Sequence, residues 1–113
     1  MYYKALSGRV PVREFIDSQT PKVKEKIFSD LERLVRFNVE LGSPYVEKVK
    51  GRDFWELRIR IGGDIYRTFY FAYTGKKFVL LHGFQKKSQK APGKELQAAE
   101  DRMRDYLERK ERR

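Results

Sequence analysis

At 113 residues, with 40% apolar and 37% charged side chains and a net charge of +10, the chain is sized for one domain with its own core and is basic enough to attract a polyanion. It has no cysteine, which excludes disulfides and thiolate metal sites, and one histidine offers too few ligands for a transition-metal centre, so no metal and no cofactor are expected. No run approaches the roughly 18 apolar residues of a membrane span and no signal-peptide core precedes residue 20, so a cytoplasmic protein with no membrane partner is expected.

Tyr2 to Leu6 reads as a short edge strand, broken by Gly8. Pro11 suits a first helical turn, and Val12, Phe15 and Ile16 give that helix one apolar face. Thr20 is placed to cap a second helix with Pro21 at its first position, and Val23, Ile27, Leu31, Leu34 and Val35 recur at three- and four-residue steps until Gly42. The two helices are expected to pack as a hairpin on a sheet and to serve as scaffold.

Residues 43–53, with Pro44 and Gly51, read as a connector carrying Lys48, Lys50 and Arg52 at alternate positions. From Phe54 the period becomes two: Trp55, Leu57, Ile59 and Ile61 alternate with Glu56, Arg58 and Arg60. Gly62-Gly63-Asp64 is a turn signal, Ile65 to Tyr73 a second strand, residues 74–77 a second turn and Phe78 to Phe84 a third strand. A last helix begins at Pro92 or Gly93 with Leu96, Ala99, Met103, Tyr106 and Leu107 as its apolar stripe, and residues 108–113, all of them charged, are expected to fray. The fold class is α+β: a single domain over 1–113, with an N-terminal helix hairpin on a small, mostly antiparallel sheet of three to four strands, closed by a C-terminal helix.

Between Arg58 and Lys90 stand eight Lys and Arg against one acid, Asp64, so that stretch holds seven of the ten net positive charges. A two- or four-residue loop at Gly62 to Asp64 pairs even-numbered with odd-numbered positions, which places Arg67 on the face of Arg58 and Arg60, whereas a three-residue bulged loop at either turn would reverse the parity. The same parity at the second turn adds His82 and Phe84 to that face, and puts Phe69, Phe71, Phe78 and Leu80 at its other end under a helix. Like charges gathered on a sheet are unfavourable unless an anion is supplied. Either a phosphate supplies it, which the guanidinium fork suits, or nearby acids do: Glu47, Asp53, Glu56 and Asp64 are available. Phe84, Gln85, Lys86, Lys87, Ser88 and Lys90 extend the basic and polar character beyond the third strand, a frequent place for binding residues.

The run Phe54-Trp55-Glu56-Leu57-Arg58, then Tyr66-Arg67, then Leu80-Leu81-His82-Gly83-Phe84-Gln85-Lys86-Lys87-Ser88-Gln89-Lys90-Ala91-Pro92 and a closing helix resembles the HigB-type toxins of the RelE/ParE superfamily over nearly the whole chain. The resemblance implies a RelE-like fold and the toxin of a type II toxin-antitoxin pair. Such a toxin is a metal-independent, ribosome-dependent endoribonuclease that cuts mRNA and is silenced by a helix-turn-helix, HigA-like antitoxin. Arg58 and Arg60 match the two basic strand positions that face RNA in RelE-like enzymes, and Arg67 matches their phosphate-contacting arginine. Lys86 and Lys87 fall where basic residues follow the last strand. A tyrosine that some members place after that loop has no counterpart, since Ala91 and Pro92 stand there.

Cleavage by the neighbouring 2′-hydroxyl needs a base, charge stabilisation of a dianionic transition state and an acid. Arg58, Arg60 and Arg67 suit the second task. Arginine does not give up its proton, so Lys86, Lys87 or His82 are the candidates for proton transfer. Lys48, Lys50, Arg52, Phe84, Gln85, Ser88 and Lys90 are the candidates for RNA contact. Two other functions fit the same composition: a ParE-like DNA gyrase inhibitor, whose fold would be similar, and a non-catalytic RNA-binding module, which would need exposed aromatics.

Overall fold

The computed structural model describes residues 1–37, 41–42, 45–74, 77–86 and 93–111. Two helices, α1 (Pro11–Asp17) and α2 (Pro21–Phe37), precede four strands, β1 (Val46–Lys48), β2 (Trp55–Ile61), β3 (Asp64–Thr74) and β4 (Lys77–Lys86), and α3 (Gly93–Glu111) closes the fold. The strands form one antiparallel sheet in the order β1-β2-β3-β4. This is the α+β, RelE-like architecture that the sequence predicts, with four strands.

The proline at the start of each N-terminal helix has no N–H to waste. Thr20 Oγ1 accepts from Val23 N at 3.4 Å, a long capping contact. Ile27, Leu31 and Leu34 of α2 are buried, whereas Val35 is exposed, one step outside the stripe. With Val12 and Ile16 of α1 they cover one face of the sheet, packing on Val46, Leu57, Ile59, Tyr66, Tyr70, Phe78 and Leu80. The other face carries Phe54, Phe69, Phe71, Val79, Leu81 and Phe84, which α3 covers with Ala99 and Met103. The sheet is thus enclosed between the helix pair and α3.

The β2–β3 hairpin has a two-residue loop, one of the two lengths that give the expected parity: Ile61 pairs with Asp64, and Gly62 takes φ 59°, the left-handed conformation such a turn needs. Arg58 therefore pairs with Arg67. The β3–β4 hairpin departs from simple parity. Phe69 pairs with His82 but Tyr70 pairs with Leu80, so Leu81 is an extra residue in β4, and a second register shift lies between Ala72 and Thr74. His82 and Phe84 keep the arginine face, as expected, while Phe78 and Leu80 do not: the bulge turns them toward α1 and α2 and puts Val79 and Leu81 under α3.

Three further expectations are revised. Part of the connector, Val46 to Lys48, is a strand because Trp55 to Leu57 offers it a ladder partner. The N-terminal strand is reduced to a single parallel bridge between Tyr2 and Leu80, in which Tyr3 N donates to Leu80 O and Leu80 N to Met1 O along the outer edge of β4. The last helix continues through Glu111, held near its end by Arg109, whose Nη2 donates to Lys4 O and whose guanidinium lies over the Tyr3 ring. The end of α3 is thereby anchored beyond Leu107 by a side chain that reaches the N-terminal segment.

Candidate functional site: a carboxylate-bridged arginine pair

The period of two in Trp55–Ile61 sends Glu56, Arg58 and Arg60 to the face opposite the α1 and α2 core, and the tight turn returns Arg67 to the same face. Glu47 arrives from β1, directly opposite Glu56. Four charged side chains thus meet on three neighbouring strands. Arg58 Nε donates to Glu56 Oε1 at 2.7 Å, Arg67 Nη1 donates to Glu56 Oε2 at 2.8 Å, and Arg58 Nη2 donates to Glu47 Oε2 at 2.9 Å.

Exposure rises steadily along this chain of ion pairs. The side chains of Arg67 and Glu56 are 5% and 7% exposed, that of Arg58 23% and that of Glu47 41%. Burial of Arg67 and Glu56 is tolerable because each has a charged partner. The Arg67 Nε has no hydrogen-bond partner among the described residues. A cavity of ≈ 470 Å³ opens over the group, lined by Glu47, Lys48, Val49, Lys50, Glu56, Arg58, Arg67 and, from α3, Leu96. Its lining carries four cations and two carboxylates, so an anion entering it meets a net positive wall.

The arginine convergence predicted from parity is therefore present for Arg58 and Arg67, and two acids of the chain itself supply the compensating charge. Arg60 shares the face by register, is exposed, and has no acidic partner among the described residues. Lys48 and Lys50 are exposed at the cavity, Lys48 Nζ donating to Arg52 O at 2.6 Å. Arg52 stands 3.7 Å from Glu100 of α3.

His82 belongs to a different cluster. Arg102 Nη1 of α3 lies 2.7 Å from His82 Nδ1 and 3.0 Å from Leu81 O, and Glu95 Oε2 lies 3.2 Å from His82 Nε2. An arginine can only donate, so Nδ1 is the accepting nitrogen and the imidazole proton sits on Nε2, facing Glu95. Burial pushes the His82 pKa below its ordinary value, against the opposing pull of Glu95. The ring is stacked on Phe84, which is itself buried against Phe69. Phe84, although directly opposite Arg67, thus has no open face for a nucleobase, and His82 lies away from the arginine cavity, with Arg102 on Nδ1 and the Glu95 carboxylate near Nε2 but outside hydrogen-bonding geometry.

Gln85 pairs with Tyr66 and so takes the α1 side of the sheet, away from the arginines. The register sets Lys86 of β4 opposite Ile65 of β3, which pairs in turn with Arg60 of β2, so Lys86 and Arg60 lie two strands apart. Lys87, Ser88 and Lys90 lie outside the described residues. The residues that sequence reasoning kept outside the site are Glu56 and Glu47, considered there only as neutralising acids. Their signal was the two-residue spacing of Glu56 and Arg58, which makes them neighbours on one face of a strand.

No helix among the described residues is long and apolar enough to cross a membrane, and no group of three or more His, Asp or Glu side chains among them is placed to hold a metal. No curated protein matches the chain. The family described as phage-derived protein Gp49-like (DUF891) matches residues 14–104, from α1 through the whole sheet into α3. The chain therefore belongs to the Gp49-like family, a toxin-like family of the RelE/Gp49 kind, in which a toxin implies an antitoxin partner.

Proposed function

We propose that this protein is the toxin of a HigB-type toxin-antitoxin pair and that it acts in the cytoplasm as a metal-independent endoribonuclease on mRNA held by the ribosome. The observation that carries the reading is the placement of Lys48, Lys50, Arg58 and Arg67 around one cavity on the face of Arg60. Phosphodiester cleavage by the adjacent 2′-oxygen accumulates negative charge on the non-bridging phosphate oxygens, and cations fixed in a partly enclosed site stabilise that charge.

The burial gradient divides the labour. Arg58, at the boundary between interior and cavity, and exposed Arg60, Lys48 and Lys50 are the groups in reach of a phosphate. Buried Arg67 fixes Glu56, and Glu56 fixes Arg58. None of the arginines takes a proton from the 2′-oxygen, and His82 is committed to Arg102 and Glu95, so proton transfer falls to a group outside the arginine pair, with RNA geometry supplied by the ribosome. A helix-turn-helix antitoxin, HigA-like, is the proposed silencing partner. The scarcity of exposed aromatics at the cavity weighs against a purely RNA-binding module.

The test is induction in bacterial cells with RNA 5′ ends mapped before and after. New ends within translated codons are expected for the wild type, with a loss of about 10²- to 10³-fold for Arg58→Gln, the size associated with removing one preorganised donor. DNA breaks in place of RNA ends would assign the protein to gyrase inhibition instead, and intact RNA and DNA would overturn both.

A further inference from the structure

The two carboxylates at the cavity differ in what they can release. Glu56 spans Arg58 and Arg67 and is buried with Arg67, so removing it would strand charge in the interior. Glu47 stands at the exposed end of the chain of ion pairs, and its Oε2 takes Nη2 of Arg58, on the part of the guanidinium that Glu56 does not engage. A half-exposed ion pair of this kind is screened by solvent and salt, and holds only weakly. A phosphodiester brings the same charge and the same kind of acceptor oxygen to the same donors.

We propose that Glu47 is a resident anion in the phosphate seat. It holds Arg58 in its working orientation while the site is empty, and an entering phosphate takes its place on Nη2 while Glu56 keeps Nε. The exchange substitutes one anion for another on Arg58, so a single phosphate gains little from it. A polyanion gains more, because its neighbouring phosphates reach Lys48, Lys50 and Arg60 at the same time. Glu47 thereby makes the site discriminate for a strand with several consecutive phosphates against mononucleotides and inorganic phosphate. This inference rests on the polyanion-binding half of the proposed function and not on cleavage.

The test uses the full chain and a short single-stranded RNA with every 2′-hydroxyl methylated, so that binding is read without cleavage. Fluorescence anisotropy is followed across a salt series. Glu47→Gln is expected to bind about tenfold more tightly than the wild type, with a log–log salt slope steeper by about 0.7, because Arg58 then meets the strand without the Glu47 charge to displace. Glu32→Gln makes the same change in net charge from an exposed position on α2, across the sheet, and is expected to change affinity by less than about twofold. Equal gains in the two variants, or weaker binding by Glu47→Gln, overturn the inference while leaving RNA binding by the wild type intact. Should Glu47→Gln disturb the fold, Glu47→Asp withdraws the carboxylate by one methylene and is expected to move affinity in the same direction by less; no gain there overturns the inference.

If neither the wild type nor any variant binds the RNA, the polyanion reading fails by itself. Inorganic phosphate is then titrated while the Arg58 Nε–Hε resonance is observed. A shift in Glu47→Gln at concentrations that leave the wild type unmoved supports the resident anion, and no shift in either overturns it as well.

Discussion

Arg67 stands directly across from Arg58 in the β2–β3 ladder, and Glu56 joins the two by giving one carboxylate oxygen to each. Like charges facing each other across a sheet destabilise it. Here the repulsion becomes an attachment, because the acid sits two residues from Arg58 on the same strand and on the same face. The arrangement holds the partly exposed Arg58 guanidinium at the mouth of the cavity by means of the Arg67 guanidinium, which lies almost wholly inside.

Removal of Glu56 should therefore cost far more than its size suggests. Glu56→Leu leaves Arg67 buried without its carboxylate and is expected to lower the free energy of unfolding by about 3–5 kcal/mol in urea denaturation. The double variant Glu56→Leu/Arg67→Met replaces both charges with apolar groups and should recover most of that loss. A single variant within about 1 kcal/mol of the wild type would contradict the bridging role.

Gly83, paired with Thr68 on the α1 side of the sheet, is a packing requirement. A Cβ there would stand 2.5 Å from Cδ2 of Phe15, well inside contact distance. Gly83→Ala is expected to destabilise the fold by about 1–3 kcal/mol, the usual cost of overpacking, and Phe15→Leu in the same chain should relieve part of it. Urea titration of the two single variants and the double variant measures the coupling.

His82 should make stability fall on mild acidification. Its pKa in the fold lies below the ordinary imidazole value, so the unfolded chain binds the proton that the native state resists. The stability contributed by neutral His82 is then complete above the unfolded pKa of about 6.5 and is lost as pH falls through that value toward the folded one. Protonation also sets a positive ring against Arg102 Nη1, while Glu95 on the same helix partly offsets it; Phe69 and Phe84, the neighbours on the sheet, carry no charge. The melting temperature should decline between about pH 7 and about pH 5 in the wild type, and much less in His82→Gln. Parallel melting curves for the two proteins across that window would exclude the effect.

The sheet face of the arginines was legible because Gly62-Gly63 allows only a very short loop, and the loop sets the parity of Arg58 and Arg67. The helix pair was legible from its two prolines and from Ile27, Leu31 and Leu34. The side assigned to Phe78 and Leu80 failed because one inserted residue, Leu81, is an irregularity no alternation of apolar residues announces. The strand Val46–Lys48 is too short to show a period, and exists through its pairing with Trp55 to Leu57. The end of α3 reads as solvated charge, yet Arg109, besides Asp105 one turn back, finds the Tyr3 ring and the Lys4 carbonyl, partners more than a hundred residues away in sequence. At the site, the shared face of Arg58 and Arg67 was visible, while the commitment of their charges to Glu56 and Glu47 depends on side-chain directions across three strands that spacing along one strand does not set.

The extra residue in β4 makes that strand behave like a message read in two frames. From Phe78 to Leu80 the even positions face the helix pair, and from His82 to Phe84 they face α3, with Leu81 as the shift between the frames. Arg102 takes the Leu81 carbonyl at the junction. Without this one residue the strand would alternate simply, with Phe78 and Leu80 still toward the helix pair and His82 and Phe84 still toward α3, because Phe69 and Tyr70 already pair with His82 and Leu80 in succession. What the added residue supplies is a doubled contribution to one layer: Leu81 and His82, in succession, both meet α3, one as core and the other through Arg102.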